Sequence, residues 1–355
     1  MLFDLPDDET LYHALLARDP AYDGFAFVGV TSTGVFCRLT CAARKPKREH
    51  SVFFPSIAEA LAAGFRPCKR CHPLLPTGEK DPTIVNLLAA LDNDPDKRWS
   101  EETLVGMQYD PSTVRRLFKR RFGITFLDMA RMRRLGKGLE VLTGGAKIID
   151  AQLEAHYESG SGFREAIARH IGINPSQARS HRFLRADWLD TPIGSMLAVA
   201  DGHALCLLEF FDRKALPAEL TRLKNATASE IIMGRTAPID RVEGELRDYF
   251  AGRRQHFTTP LAEFGSAFTR GVWEALRAIP SGEVRSYSAI GAAIGRPTAS
   301  RAVARANGAN QIAILIPCHR VIGADGSLTG YGGGLWRKQW LIEHERRMAA
   351  GAGGL

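Results

Sequence analysis

The sequence predicts a multidomain α+β protein, on three observations. At 355 residues it is too long for one ordinary domain. Four of its six cysteines crowd into the first 75 residues as two close pairs. The apolar pattern is helical through the middle, turns to short strand-like runs near Arg185, and is helical again from Phe268. A hydrophobic content of 45% and a charged content of 24% describe a globular chain rather than a disordered one. The formal net charge of +8 suggests a polyanionic partner. Residues 1–10 are acidic and lack the apolar stretch of a signal peptide. No run approaches the ~20 apolar residues of a membrane span. These features point to a cytoplasmic protein without a membrane partner, whose cysteines bind metal or react rather than form disulfides.

The first element is a metal site. Cys37-x3-Cys41 and Cys68-x2-Cys71 are separated by 26 residues. Four thiolates at these spacings suit the tetrahedral preference of Zn²⁺. His50 and His72 are nearby alternative ligands, although four cysteines already complete the shell. Between the pairs, Ala42-Ala43-Arg44-Lys45-Pro46-Lys47-Arg48 is a basic segment suited to phosphate contact. The strings Gly34-Val35-Phe36-Cys37-Arg38 and Ala62-Ala63-Gly64-Phe65-Arg66-Pro67-Cys68-Lys69-Arg70-Cys71 resemble the N-terminal domain of the Ada family of adaptive-response regulators. The resemblance implies a small zinc-bound α/β domain over residues 1–78, with one Zn²⁺ on Cys37, Cys41, Cys68 and Cys71. It makes Cys37 both a ligand and a methyl acceptor from DNA methylphosphotriesters. Family DNA contacts carry over to Thr33, Arg44 and Arg66, whereas one family arginine is Ala42 here, so that contact is expected to be missing. Four thiolates on Zn²⁺ leave a charge near −2, and methylating one removes a negative charge. The domain should then bind DNA more tightly after repair than before.

Two helix–turn–helix units follow. Residues 81–91 read as an amphipathic helix, and Asn93-Asp94-Pro95-Asp96 as a break. Ser100 caps a short helix, Tyr109-Asp110 turns, and residues 111–122 form a second helix closed by Gly123. Val114, Leu117 and Phe118 share its apolar face, leaving Arg115, Arg116, Lys119 and Arg120 for DNA. Residues 97–137 hold eleven Lys/Arg against four Asp/Glu. A similar unit recurs, with helices over 147–156 and 159–170 and a closing Gly172. It is less basic, and it has Ala151 and Ala155 where larger residues would pack. Ser161-Gly162-Phe163-Arg164-Glu165 with Gly172-Ile173-Asn174-Pro175 resembles the second half of an AraC-type DNA-binding domain, which implies an all-α double helix–turn–helix over 80–181.

From Arg185 the reading is of strands at 195–200 and 205–211, a turn at Asp201-Gly202 and a helix at 241–252. Cys206 is a core strand residue. The segment 182–264 resembles the ribonuclease-H-like α/β subdomain that precedes alkylguanine transferases; no catalytic acidic cluster is evident, and it reads as scaffold. Residues 267–276 form an amphipathic helix, and 288–294 with 298–306 a third helix–turn–helix. Then comes Ile314-Leu315-Ile316-Pro317-Cys318-His319-Arg320, a cysteine at the end of an apolar strand-like run. A thiol attacks as thiolate, and His319 and Arg320 offer a proton acceptor and positive charge. Ser300-Arg301-Ala302-Val303-Ala304, Asn310, the Pro317–Arg320 core and Gly330-Tyr331 together resemble O6-alkylguanine-DNA alkyltransferases.

That resemblance implies a helical, winged-helix-like alkyltransferase domain over 265–349. Cys318 attacks the alkyl carbon of a flipped-out base; His319 is its base through a water, oriented by Glu345; Asn310 orders the turn; Tyr331 donates to the departing guanine. Tyr287 crowds the phosphate, and Arg301 fills the gap left by the flipped base. The family's serine after the tyrosine is Gly332 here. The whole reads as a repair protein for O6-methylguanine, O4-methylthymine and methylphosphotriesters. It would be a monomer on double-stranded DNA at the bacterial nucleoid, activating transcription with RNA polymerase as partner once Cys37 is methylated. A zinc-thiolate redox sensor, or a damage-sensing regulator that transfers no alkyl group, is the alternative.

Overall fold

A computed structural model of the chain describes residues 5–19, 22–74 and 81–352. The chain divides into two compact units: Met1–Glu79 with Asp248–His256 and Gly265–Leu355, and Lys80–Arg247 with Phe257–Phe264.

In the first unit, α1 (Asp8–Ala17) starts at Asp7, whose carboxylate accepts the Thr10 N–H at 2.8 Å. Strands β1 (Phe27–Val30), β2 (Val35–Arg38) and β3 (Ser51–Phe54), helix α2 (Ile57–Ala62) and β4 (Arg66–Pro67) complete a four-stranded sheet of order β3-β1-β2-β4. β1 runs antiparallel to β2 and β3, while β4 is parallel to β2. Parallel pairing with β4 brings Cys68, just past that strand, beside β2, where its N–H bonds to the Phe36 carbonyl at 3.0 Å. Leu11, Leu15, Val28, Leu39 and Phe53 form a core that includes Cys37 and Cys41.

The second unit opens with six helices: α3 (Pro82–Asn93), α4 (Glu101–Gly106), α5 (Pro111–Phe122), α6 (Phe126–Thr143), α7 (Ile148–Glu154) and α8 (Gly160–Ile171). The expected caps are in place: Ser100 accepts from Thr103 N, and Gly123 and Gly172 close α5 and α8 in the left-handed region; Asp110, expected as part of the turn, also caps α5 by accepting from Thr113 N. Helix α6, for which the sequence carries no expectation, links the two helix–turn–helix units. A Cβ at its Gly138 would lie 2.6 Å from the Ala151 carbonyl and 2.8 Å from the Ala155 Cβ. The alanines at 151 and 155 are therefore the small partners that a close α6–α7 crossing requires.

Strands β5 (Arg182–Leu189), β6 (Met196–Ala200) and β7 (Leu205–Phe210), helix α9 (Leu216–Thr227), β8 (Ser229–Met233) and α10 (Ala237–Phe250) follow. The sheet has the order β7-β6-β5-β8, with only β5 and β8 parallel. Cys206 is buried in β7. β5, α9 and β8 lie outside the elements expected from the sequence; charged Arg182, Arg185 and Asp187 interrupt the apolar run of β5. Leu88, Phe118, Phe126 and Met129 of the helical part share one core with Leu184, Trp188, Leu207 and Leu223.

The first unit resumes with α11 (Ala267–Arg277), β9 (Arg285–Ser286), α12 (Tyr287–Ala293), α13 (Ser300–Gly308), a 3-10 turn (Cys318–Arg320), β10 (Val321–Ile322) and α14 (Leu335–Ala352). β9 and β10 pair in parallel beside the α12–α13 helix–turn–helix. The expected strand before Cys318 is absent. Residues 312–316 are buried turns with Ile314 at φ 72°, because an apolar run buried on every side carries no period to distinguish strand from turn. No helix among the described residues is long and apolar enough to cross a membrane.

Candidate active site and metal centre

Asn310 lies just beyond α13, and its amide organises the turn that presents Cys318. Nδ2 donates to the Ile316 carbonyl at 2.9 Å and to Cys318 Sγ at 3.1 Å, while Oδ1 accepts the Ile312 N–H at 2.9 Å. The thiol is 6% exposed, so attack requires a substrate inserted to meet it. His319, fully buried, places Nε2 2.9 Å from Glu345 Oε1 on α14. Its Nδ1 has no hydrogen-bond partner among the described residues. Burial pushes the Glu345 carboxyl up, but the charges and hydrogen bonds of His319 and Arg320 outweigh this and hold it well below the usual range. Burial depresses His319 despite the attraction of Glu345, keeping the imidazole neutral near pH 7.

Arg320 was expected to offer charge to the thiol. Its guanidinium instead grips Glu345, Nε to Oε2 at 2.8 Å and Nη2 to Oε1 at 2.9 Å, and also donates to the Ile279 carbonyl. Two residues escaped the sequence reading. Lys338 is fully buried, donates to the Val321 and Thr329 carbonyls, and is pulled down to about 8 by burial, against the opposing pull of Cys318. Within Trp336-Arg337-Lys338-Gln339 nothing marks it as anything but a surface lysine. Tyr249 donates to Glu345 Oε1 at 2.9 Å. Tyr287, half-buried at the start of α12, is raised chiefly by burial, with a hydrogen bond from Thr329 opposing and the charge of Cys318 adding to the rise. Tyr331 is half-buried in the loop before α14, and Arg301 is exposed on α13.

The sulfurs of Cys37, Cys41, Cys68 and Cys71 lie within 4.8 Å of one another. Cys37 comes from β2, and the other three follow β2 and β4 in turns. A hydrogen bond from Cys37 draws the Cys71 thiol down to about 5, and the same bond pushes the Cys37 thiol far up. Four thiolates this close cannot all be charged without a cation among them, so the donor set fits one Zn²⁺. Three sulfurs also receive backbone N–H groups: Cys71 from Arg38 at 3.4 Å, Cys41 from Ala43 at 3.5 Å and Cys68 from Arg70 at 3.4 Å. No such bond to Cys37 is found among the described residues, which leaves it the least neutralised of the four.

The proposed DNA contacts lie on the surface. Thr33, Arg44 and Arg66 are exposed, and Arg66 Nη2 donates to the Thr33 carbonyl at 3.4 Å, so these two form one patch. Arg115, Arg116 and Lys119 are exposed on α5, although Arg115 is engaged by Glu101 at 2.5 Å. Arg120 is on the same helix, with a side chain outside the described residues.

A buried cysteine with a histidine–glutamate pair, a tetrathiolate zinc centre and paired helix–turn–helix units define a metal-dependent DNA-binding protein with a candidate acceptor thiol. Three family models match along the chain: the metal binding domain of Ada at residues 10–73, a helix-turn-helix domain at 106–181, and the DNA binding domain of 6-O-methylguanine DNA methyltransferase at 267–347. The bifunctional transcriptional activator/DNA repair enzyme Ada of Escherichia coli K12 is 34% identical over 355 residues, 95% of this chain and 96% of that one. The chain belongs to the Ada family. A methylated-DNA–protein-cysteine methyltransferase of Salmonella typhimurium is 56% identical over 102 residues, 28% of this chain and 60% of that one. Among solved structures, Mycobacterium tuberculosis OGT in complex with DNA is 39% identical, with a TM-score of 0.40, over 47% of this chain and 94% of that one.

Proposed function

We propose that the chain repairs alkylated DNA by two irreversible transfers. One runs from O6-methylguanine, and O4-methylthymine, to Cys318; the other runs from DNA methylphosphotriesters to Cys37. The observation that carries this reading is the Cys318 thiol, held by Asn310 and followed by the buried His319–Glu345 pair. Ionised Glu345 fixes the proton of His319 on Nε2, so Nδ1 keeps its lone pair and takes the thiol proton by way of a water. The Asn310 N–H stabilises the thiolate. Sγ then forms its bond to the alkyl carbon as the C–O6 bond breaks. The electron pair goes to the guanine, which Tyr331 protonates, so that a neutral base leaves. The thioether product is a poor leaving group, so each cysteine acts once. Tyr287 and Arg301 assist by turning the nucleotide out and filling its place.

At the N-terminus, Cys37 is the acceptor, with Thr33, Arg44 and Arg66 holding the backbone around the phosphotriester. A bound Zn²⁺ keeps the Cys37 sulfur a thiolate without a protein base. Once methylated, the domain repels DNA less, and α5 and α8 hold the protein at a promoter, where it engages RNA polymerase. It does so as a monomer at the nucleoid. The domains divide at 1–78, 80–181, 182–264 and 265–349.

The test uses single-turnover transfer with two substrates. Cys318→Ala should abolish transfer from an O6-methylguanine duplex and spare transfer from a methylphosphotriester. Cys37→Ala should do the reverse and weaken zinc binding. Base repair surviving Cys318→Ala would refute the assignment.

A further inference from the structure

Transfer to Cys318 as proposed uses no residue before Tyr287, yet Glu345 has a donor from earlier in the chain. Tyr249 lies in the last turn of α10, 96 residues before Glu345, and is fully buried. Its hydroxyl reaches Oε1 at 2.9 Å, the same oxygen that meets His319 Nε2 and Arg320 Nη2, each at 2.9 Å. Its backbone carbonyl meets the Nε2 of His344, the neighbour of Glu345, at 2.8 Å. One residue thus clasps two consecutive positions of α14, through side chain and main chain. Ring contacts lock this clasp: Tyr249 is edge-on to His344 at 5.2 Å, and His344 stacks on Trp340 at 4.8 Å.

We propose that Tyr249 is a positioning residue for alkyl transfer to Cys318, acting by sharing the Glu345 oxygen that orients His319. The proposal rests on the reading of His319 as the base. With three donors on Oε1, the carboxylate is less able to pull His319 toward the imidazolium form before the thiol is engaged. The hydroxyl also limits rotation of the carboxylate about the Arg320 fork, which fixes the plane of the imidazole. The charged and titratable groups facing the pair are Arg320 beside it, Lys338 on α14, Tyr331 in the loop and Cys318 itself. Tyr249 comes from the stretch Asp248–His256, at the end of α10, which belongs to the same compact unit as Glu345, so that stretch contributes an atom to the relay.

The test is Tyr249→Phe, which removes one oxygen from the full-length zinc-loaded protein. Transfer from an O6-methylguanine duplex is followed in single turnover from pH 5 to 9. The plateau rate should fall roughly 3- to 10-fold, a modest loss for one of several donors. The acid limb should also move to higher pH, because an unshared Oε1 stabilises protonated His319. Methylation of Cys37 and the melting temperature of the C-terminal segment serve as controls for folding. A wild-type plateau with a wild-type acid limb would overturn the proposal, as would a slower rate with an unmoved limb, since loss of packing alone gives that pattern. Glu345→Gln runs in parallel. If it transfers at the wild-type rate, the relay reading itself fails, and the two failures are thereby told apart.

Discussion

In the proposed transfer, the amide of Asn310 takes at Cys318 the part expected of a positive charge. Arg320 is spent on Glu345 and the Ile279 carbonyl, so the N–H at 3.1 Å is the polar contact to Sγ that the structure shows most directly. Replacing Asn310 with Ala removes a hydrogen bond to a charged sulfur. Such bonds contribute about 1.5–3 kcal/mol. Transfer to Cys318 should therefore slow roughly 10- to 100-fold in single turnover, while Cys37 methylation is unchanged. A rate within twofold of wild type would remove Asn310 from the mechanism. Glu345 makes a second prediction. Glu345→Leu leaves the buried Arg320 guanidinium without its partner, and breaking a buried pair costs about 3–5 kcal/mol. Chemical denaturation of the purified protein should show that loss in the transition reporting on α14.

Among elements, the informative junction is that of α6 and α7. Gly138 meets the Ala151 carbonyl and Ala155 Cβ with no room for a side chain. Gly138→Leu should lower the melting temperature of the helical segment and weaken promoter binding, with Cys318 transfer retained; overpacking of this kind costs about 1–3 kcal/mol or more. Unchanged melting would contradict the close crossing. This junction also shows what the sequence made legible. Helix ends were readable at Ser100, Gly123 and Gly172 because caps are local signals that act within a few residues. The cysteine quartet was readable because ligand spacing is local within each pair. By contrast, α6 and β5 were missed because their charged residues are held by partners distant in sequence: Arg133 with Asp92 and Asp187, and Arg235 with Asp187. Lys338 and Tyr249 were invisible for the same reason. Each acts through a partner that only folding brings near.

For the molecule as a whole, the two chemical centres respond differently to conditions. His319 and Glu345 both titrate below their ordinary values when folded. A depressed folded pKa contributes stability that is present above the unfolded value and lost as pH falls through the folded one. Melting temperature should therefore decline as pH drops below about 6.5, where unfolded histidine begins to take a proton, and again below about 4.3 for the carboxylate. His319→Asn should flatten the first decline. The zinc centre depends on metal instead. Its four sulfurs lie in the core of the N-terminal sheet, so a strong chelator should release protection from hydrogen exchange in residues 22–74. Transfer to Cys318 should survive that treatment.

The central claim is that one chain carries two sacrificial thiols. It is tested most directly by incubating the zinc-loaded protein with excess DNA bearing both lesions and mapping adducts on its six cysteines by mass spectrometry. The account predicts one methyl on Cys318 and one on Cys37, each stoichiometric, with Cys41, Cys68, Cys71 and Cys206 unmodified. An unmodified Cys318 after saturating O6-methylguanine duplex, or a methyl spread over the zinc ligands, would contradict it.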